Sequence, residues 1–252
     1  MKRTLGVIPA RMASSRFPGK PLKKILEIPM LAHCYERALI SGACDNLVIA
    51  TPDQEIIAWA NLHDIPSVLT SHIHQRATDR AKETLDILSR EGDFFDFILL
   101  LQGDEPQIHP DDIINLKNAF TGIEYEAVNL LFPISKNDLE NPNVVKAVVK
   151  KDLNIKFFSR THVPNNCLSG FRQLGMIGFT NSALLYYADL SPTPLEEVES
   201  IDMMRFLEND FSIQGVLSSS PILGVDNPED IIKLERVMKN DHFVRLYKNK
   251  YI

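Results

Sequence analysis

The chain has 252 residues, 44% of them hydrophobic, and a formal net charge of −6 with both signs mixed along its length, which supports a sizeable core and argues against non-specific nucleic-acid binding. Its three cysteines, Cys34, Cys44 and Cys167, form no close pair, so neither a disulfide scaffold nor a zinc knuckle is indicated and a reducing, cytoplasmic compartment is expected. The first apolar run is too short for a secretory signal, and no segment nears the roughly 18 continuous apolar residues of a membrane span.

Residues 4–8 (TLGVI) read as a buried strand, followed by an irregular loop broken by Pro9, Pro18, Gly19 and Pro21. Apolar residues at helical spacing from Pro29 predict a helix closed by Gly42. A strand over 47–50, a helix opened by Pro52 and Asp53, and a short strand over 67–70 follow. A helix is expected from about Ala77 to Ser89, then the strongest strand signal, FDFILLLQ over 95–102, apolar almost throughout as in a central parallel strand covered on both faces. Another helix starts near Pro110. Strands alternating with helices over roughly 1–120 predict a three-layer α/β domain.

The middle is strand-rich: 126–132, 144–150 and 154–159, with a hairpin at Lys151-Asp152, then 172–180 and a short helix over 182–188. Residues 194–209 read as one helix with Leu195, Val198, Ile201, Met204 and Leu207 on a single face. A strand over 213–217 and a helix over 227–238, with Pro228 near its start, complete the pattern. The whole of 1–252 reads as one domain, with a smaller lobe within about 126–210.

Chemistry concentrates in two loops. PARMASSRFPGK follows the first strand, where open α/β sheets bind ligands. It carries Arg11, Arg16 and Lys20; Arg11 and Lys20 can neutralise a triphosphate, and small residues such as Ser14 and Ser15 let backbone N–H groups approach it. The loop lacks both the P-loop and the GxGxxG patterns. QGDEP ends the central strand, and Asp104 there suits Mg²⁺ bridging phosphate oxygens. Asp226 is either a second metal ligand or a cap of the last helix. In HQRATDR, Arg80 can meet a nucleotide or acceptor, while Thr78 and Asp79 can equally cap the next helix. Lys146, in an apolar strand, either edges the sheet or enters a pocket, and Arg160 follows FFS. His33, His63 and His109 read as structural, and no zinc motif or nucleophile elbow is present.

The segments IPARMASSRFPGKPL, TDRAKE, LLLQGDEPQI, NPNVVKAVV, FFSR, LGMIGF, PLEEVE and VDNPEDI, in this order, resemble the 3-deoxy-manno-octulosonate (Kdo) cytidylyltransferases, the CMP-Kdo synthetases, nearly end to end. The resemblance implies a Rossmann-like nucleotidyltransferase domain with a smaller mixed-sheet lobe for dimerisation and acceptor binding, a homodimer, and Mg²⁺-dependent transfer of CMP from CTP to an acidic sugar. It implies triphosphate binding by Arg11 and Lys20, nucleotide surroundings at Ala10, Ser14, Ser15, Thr78, Arg80 and Gln102, and magnesium ligation by Asp104 and Asp226. Gln102, Lys146 and Arg160 fall near the acceptor. The chain departs from the pattern where the family has a histidine and a tyrosine, here Gln173 and Ile177; where it has Glu-Gln, here Asp202-Met203; and where it has Ser-Gly, here Arg76-Ala77. These changes point to an acceptor other than ordinary Kdo: a modified octulosonate, a nonulosonate or a small phosphorylated acid. A drifted pocket that still takes Kdo, another nucleotide, and a non-enzymatic homologue are the competing readings; Arg11, Lys20, Asp104 and Asp226 together speak against the last.

Overall fold

The computed structural model describes residues 2–13, 17–121, 125–164, 169–225 and 227–252. The strands are β1 (Thr4–Pro9), β2 (Lys24–Ile25), β3 (Ile28–Pro29), β4 (Asn46–Thr51), β5 (Ser67–Leu69), β6 (Phe97–Leu100), β7 (Ala127–Pro133), β8 (Lys146–Val149), β9 (Asn154–Ser159), β10 (Phe171–Thr180) and β11 (Ile213–Leu217). The helices are α1 (Met30–Ser41), α2 (Gln54–Leu62), α3 (Ala77–Arg90), α4 (Pro110–Asn118), α5 (Lys136–Leu139), α6 (Asn181–Asp189), α7 (Pro194–Glu199), α8 (Met203–Glu208), α9 (Pro228–Met238) and α10 (His242–Tyr247).

Nine strands form one sheet in the order β5-β4-β1-β6-β10-β7-β11-β9-β8. The β5-β4-β1-β6 half is parallel. Its side chains alternate between two cores: Leu5, Val7, Ile98 and Leu100 face one, Ile8, Phe97 and Leu99 the other. Such strands must be apolar on both faces, and each fully buried Ile or Leu stabilises by roughly 2 kcal/mol. The first core is closed by α3, α6 and α8, the second by α1, α2 and α4, so the expected three layers are present.

β10 then runs antiparallel to both β6 and β7. Its register shifts between Gln173 and Ile177, and beyond that irregularity Phe171 and Arg172 also pair with Ala147 and Lys146 of β8. The bulge turns the strand so that β10, β7, β11, β9 and β8 close into a ring, which removes the exposed sheet edge. This ring is the smaller mixed sheet.

The 194–209 segment is corrected from one helix to two. Ser200 adopts a left-handed conformation (φ 54°) between α7 and α8. The inward position is taken by Glu196, 1% exposed and paired with buried Arg205, while Val198 is 82% exposed. In α7 the buried ion pair takes the inward face that apolar spacing assigned to Leu195 and Val198, whereas Ile201 and Met204 are buried as expected. Besides the short α5, two elements were not foreseen, the β2–β3 hairpin and α10. Both belong to a third core in which Phe17, Ile25, Ile28 and Met30 pack on Val225, Leu234, Met238, Val244 and Tyr247.

His33 of α1 ties that core together. Its Nε2 lies 2.9 Å from the Ile25 carbonyl and its Nδ1 2.7 Å from the Tyr247 hydroxyl. A carbonyl only accepts, so Nε2 carries the proton and bare Nδ1 accepts from tyrosine. Burial, assisted by nearby Arg37, holds the imidazole down to about 4 from its ordinary 6.5. The unfolded chain therefore binds the additional proton between those values, and stability falls as pH drops through that window, by about 3 kcal/mol in total. Above pH 6.5 His33 contributes no pH dependence. Thermal melts of wild type and His33→Gln at pH 4 to 7 should show a steeper acid-side decline in wild type; parallel curves would exclude His33 as the source.

Candidate active site

The carboxyl ends of β1 and β6 and the head of α3 enclose a cleft of about 310 Å³. The loop after β1 is pinned at three points. Ala10 N–H donates to the Ala50 carbonyl (3.0 Å), Met12 N–H to Asp53 Oδ2 (2.7 Å), and Gly19 N–H to the Met12 carbonyl (3.0 Å). Ala10 is buried against the sheet edge and Arg11 is exposed at the mouth. Ser14 and Ser15, with Arg16, lie outside the described residues, as does Asp226.

Three distant segments meet at Lys20. Its ammonium donates to Asp104 Oδ2 (2.6 Å) and to the Val225 carbonyl (2.5 Å), and Val225 N–H donates to the Asp104 carbonyl (3.0 Å). The loop after β1, the loop after β6 and the lead into α9 thus form a closed triangle of bonds. Gly103 permits the crossing, since a Cβ there would stand 2.7 Å from the Pro9 carbonyl. The Lys20 side chain is 13% exposed and that of Asp104 39%, so the carboxylate remains open to the cleft. Among the described residues no group of three or more metal-binding side chains gathers.

Next to Asp104, the Glu105 carboxyl turns inward. Its Oε1 accepts from Gly175 N–H (2.9 Å), while Oε2 is buried with no partner among the described residues. Burial, with the charge of Asp104, raises it to about 7. Gly175 lies in the β10 bulge, and a Cβ there would meet Gln102 Cγ at 2.4 Å. The bulge therefore sets where Gln102, a cleft residue, can lie.

The head of α3 supplies Arg76 and Arg80. Arg80 is 4% exposed, donates to Thr70 Oγ1 and to the Ser71 carbonyl (3.2 Å), and still reaches the cleft. Burial and the neighbouring Arg11 both lower its pKa. Arg11, Lys20 and Arg80 against Asp104 leave the cleft cationic, which suits a polyanion such as a nucleoside triphosphate, and Arg76 adds a further positive charge at the head of α3.

The residues expected around an acceptor are placed differently. Thr78 is buried and does not line the cleft; its hydroxyl donates to Asp202 Oδ2 (2.7 Å). Lys146, 2% exposed, donates to the carbonyls of Asn141 (2.7 Å) and Arg160 (2.8 Å). Burial lowers its pKa. Arg160 in turn donates to the Glu199 carbonyl (2.8 Å) and the Ser200 carbonyl (3.3 Å). These groups brace the turn between α7 and α8. Ile177 and Met203, expected at the acceptor, are corrected to core residues, 4% and 0% exposed. Gln173 is committed to Asn129, Nε2 to Oδ1 at 2.6 Å, and Asn129 itself donates to the Leu174 and Met176 carbonyls across the bulge. None of Thr78, Lys146, Arg160, Gln173, Ile177, Asp202 and Met203 lines the cleft. Sequence reasoning missed Asp53, Glu105, Gly175 and Val225. Asp53 carried a signal, a carboxylate just beyond a strand end; Val225 carried none, because only its backbone is used.

The profile of the family described as Cytidylyltransferase matches residues 5–214. The chain belongs to the cytidylyltransferase family. Among its relatives, 3-deoxy-manno-octulosonate cytidylyltransferase from Syntrophobacter fumaroxidans is 36% identical over 247 residues, covering 95% of this chain and 98% of the relative. The 8-amino-3,8-dideoxy-manno-octulosonate cytidylyltransferase of Shewanella sp. (strain W3-18-1) is 36% identical over 237 residues, covering 91% and 96%. A solved CMP:2-keto-3-deoxy-manno-octonic acid synthetase complexed with CTP superimposes with a TM-score of 0.87 at 28% identity, over 95% of this chain and 99% of that one. The cytidylyltransferase is thus an enzyme with CTP as co-substrate. Among the described residues of this cytidylyltransferase, no helix is long and apolar enough to cross a membrane.

Proposed function

We propose that this cytidylyltransferase activates a 3-deoxy-2-keto sugar acid of the Kdo class as its CMP derivative. The convergence of Arg11, Lys20 and Arg80 on one cleft beside the open carboxylate of Asp104 carries the reading, and the names of the relatives supply the acceptor class. In the reaction an acceptor hydroxyl oxygen bonds to the α-phosphorus of CTP, the bond from that phosphorus to the bridging oxygen breaks, pyrophosphate leaves, and the hydroxyl proton passes to solvent. The cations hold the triphosphate and neutralise the charge that grows on the leaving pyrophosphate. Gln102 borders the cleft, where its amide can orient nucleotide or acceptor.

Asp104 fits a magnesium site. Its Oδ2 is held by Lys20, its Oδ1 has no partner among the described residues, and Mg²⁺ needs only one or two carboxylates when phosphates complete its shell. Asp104, with Asp226 by resemblance, would hold the ion, which shields the phosphates and raises the acidity of the acceptor hydroxyl. We further propose a homodimer built on the smaller lobe, where Leu195 and Val198 of α7 are left outward, and a cytoplasmic location, where CTP is available.

A modified octulosonate is the second reading of the acceptor. Gln173 Nε2 is tied to Asn129, and Ile177 is buried and carries no group that could bond a sugar hydroxyl, and the Shewanella relative is named for an amino sugar. Pyrophosphate release with CTP and Mg²⁺ across Kdo, its 8-amino analogue, nonulosonates and small phosphorylated acids tests both. Turnover restricted to the 8-amino sugar selects the second reading, and inertness toward every 3-deoxy-2-keto acid would end both.

A further inference from the structure

Arg76 is held unlike the other cations of the cleft. Lys20 is fixed by two short bonds and Arg80 is buried to 4%. Arg76, with a side chain 29% exposed, stands 3.6 Å from Glu196 Oε1 and makes one long bond, 3.3 Å, to Ser200 Oγ. Glu196 does not depend on it. Arg205 Nε and Nη2 already hold both Glu196 oxygens, at 2.6 and 2.7 Å, in a buried bidentate pair. The charge of Glu196 stays compensated when Arg76 departs, so moving Arg76 leaves no orphaned carboxylate and costs little.

Its position is also distinctive. Arg76 precedes the first turn of α3, one helical turn before Arg80, and lines the cleft. It is the one described cleft cation that also bonds the turn between α7 and α8, the turn braced from its other side by Arg160. Arg11 and Arg80 lie close enough for their charges to interact and share the cleft with Lys20, so the triphosphate has its own cations. Arg76 lies at the side of the cleft next to the turn between α7 and α8, loosely engaged, with a planar fork matched to a carboxylate.

We infer that Arg76 receives the carboxylate of the acceptor, exchanging its weak contacts with Glu196 and Ser200 for a bidentate pair with the sugar acid. This rests on the acidic-acceptor reading above. It makes Arg76 a specificity-determining residue, selecting acids over neutral sugars.

The test combines a variant with an altered substrate. For whichever of Kdo and its 8-amino analogue turns over, the C1 carboxamide is compared with the acid in wild type and Arg76→Ala. In wild type, loss of the substrate's charge should lower kcat/KM roughly 30- to 100-fold, the worth of a charge-assisted bidentate contact. Arg76→Ala should lose about as much on the acid and nothing further on the carboxamide, chiefly as a higher acceptor KM. Arg76→Lys should recover only part. Calorimetric titration of CTP should give Kd values for wild type and Arg76→Ala within about twofold of each other, because the triphosphate cations are untouched. An equal penalty for the carboxamide in wild type and variant overturns the inference, as does a tenfold loss of CTP affinity. A wild-type enzyme inert toward both acids ends the substrate reading separately, and the CTP titration then still judges Arg76.

Discussion

Lys20→Met should reduce CMP transfer from CTP by about 10³-fold, measured as pyrophosphate release. The ammonium is largely shielded from water, so its charge acts with little dielectric screening on phosphate oxygens beside it. Two of its N–H groups are fixed by Asp104 and Val225, which leaves the third for the nucleotide. Methionine keeps the stem but removes all three bonds, stranding Asp104 Oδ2 and the Val225 carbonyl. Lys20→Arg should restore little, because a planar fork cannot meet a carboxylate and a carbonyl at the spacing of one nitrogen. The melting temperature should fall by only a few degrees, since Asp104 can turn to water. A loss below tenfold would remove Lys20 from the chemistry.

Arg205→Met should be the most destabilising single change considered, at about 3 to 5 kcal/mol. Its partner Glu196 is 1% exposed and Arg205 is 5% exposed. The guanidinium also lies over the Tyr187 ring (4.2 Å to the centroid) and donates to the Leu190 carbonyl (3.2 Å). Removing it leaves a buried carboxylate with only Arg76 and the Thr193 N–H near, and for a chain of this size the melting temperature should drop by roughly 10 °C. Glu196→Gln should behave similarly. The double variant Glu196→Leu with Arg205→Met should be much milder than the sum, because no unpaired charge remains. Additive losses in thermal denaturation would show that the two side chains act independently.

The strands of the parallel half were legible because a sheet covered on both faces must be apolar at nearly every position, as in FILL of β6. The cleft was legible too: Arg11, Lys20, Asp104 and Arg80 stand on loops and a helix head at strand ends, where an α/β sheet binds ligands. The acceptor side was not. Lys146, Arg160 and Asp202 were set near the acceptor by family resemblance, yet each is engaged with backbone or hydroxyl groups. Apolar spacing at Leu195 and Val198 suggested a buried helical face, and the Glu196–Arg205 pair overrode it. Such a pair has no periodic signature, since its value depends on a partner beyond a turn. The third core was hidden for a similar reason: its members come from residues 17 to 32 and 225 to 247, too far apart for any local pattern.

That third core bears on when the enzyme can become active during synthesis. Lys20 finds its carbonyl partner 205 residues later, Arg37 meets Asp241 204 residues later, and His33 meets Tyr247 214 residues later. Contacts of such separation form late, after the intervening chain has been made and ordered. A nascent chain still held at its C-terminal segment can have its parallel strands assembled, yet Lys20 lacks the carbonyl that orients it. Lys20 can therefore take its final orientation only after the chain has been made through Val225, which sets assembly of the cleft's basic corner behind that of the parallel strands.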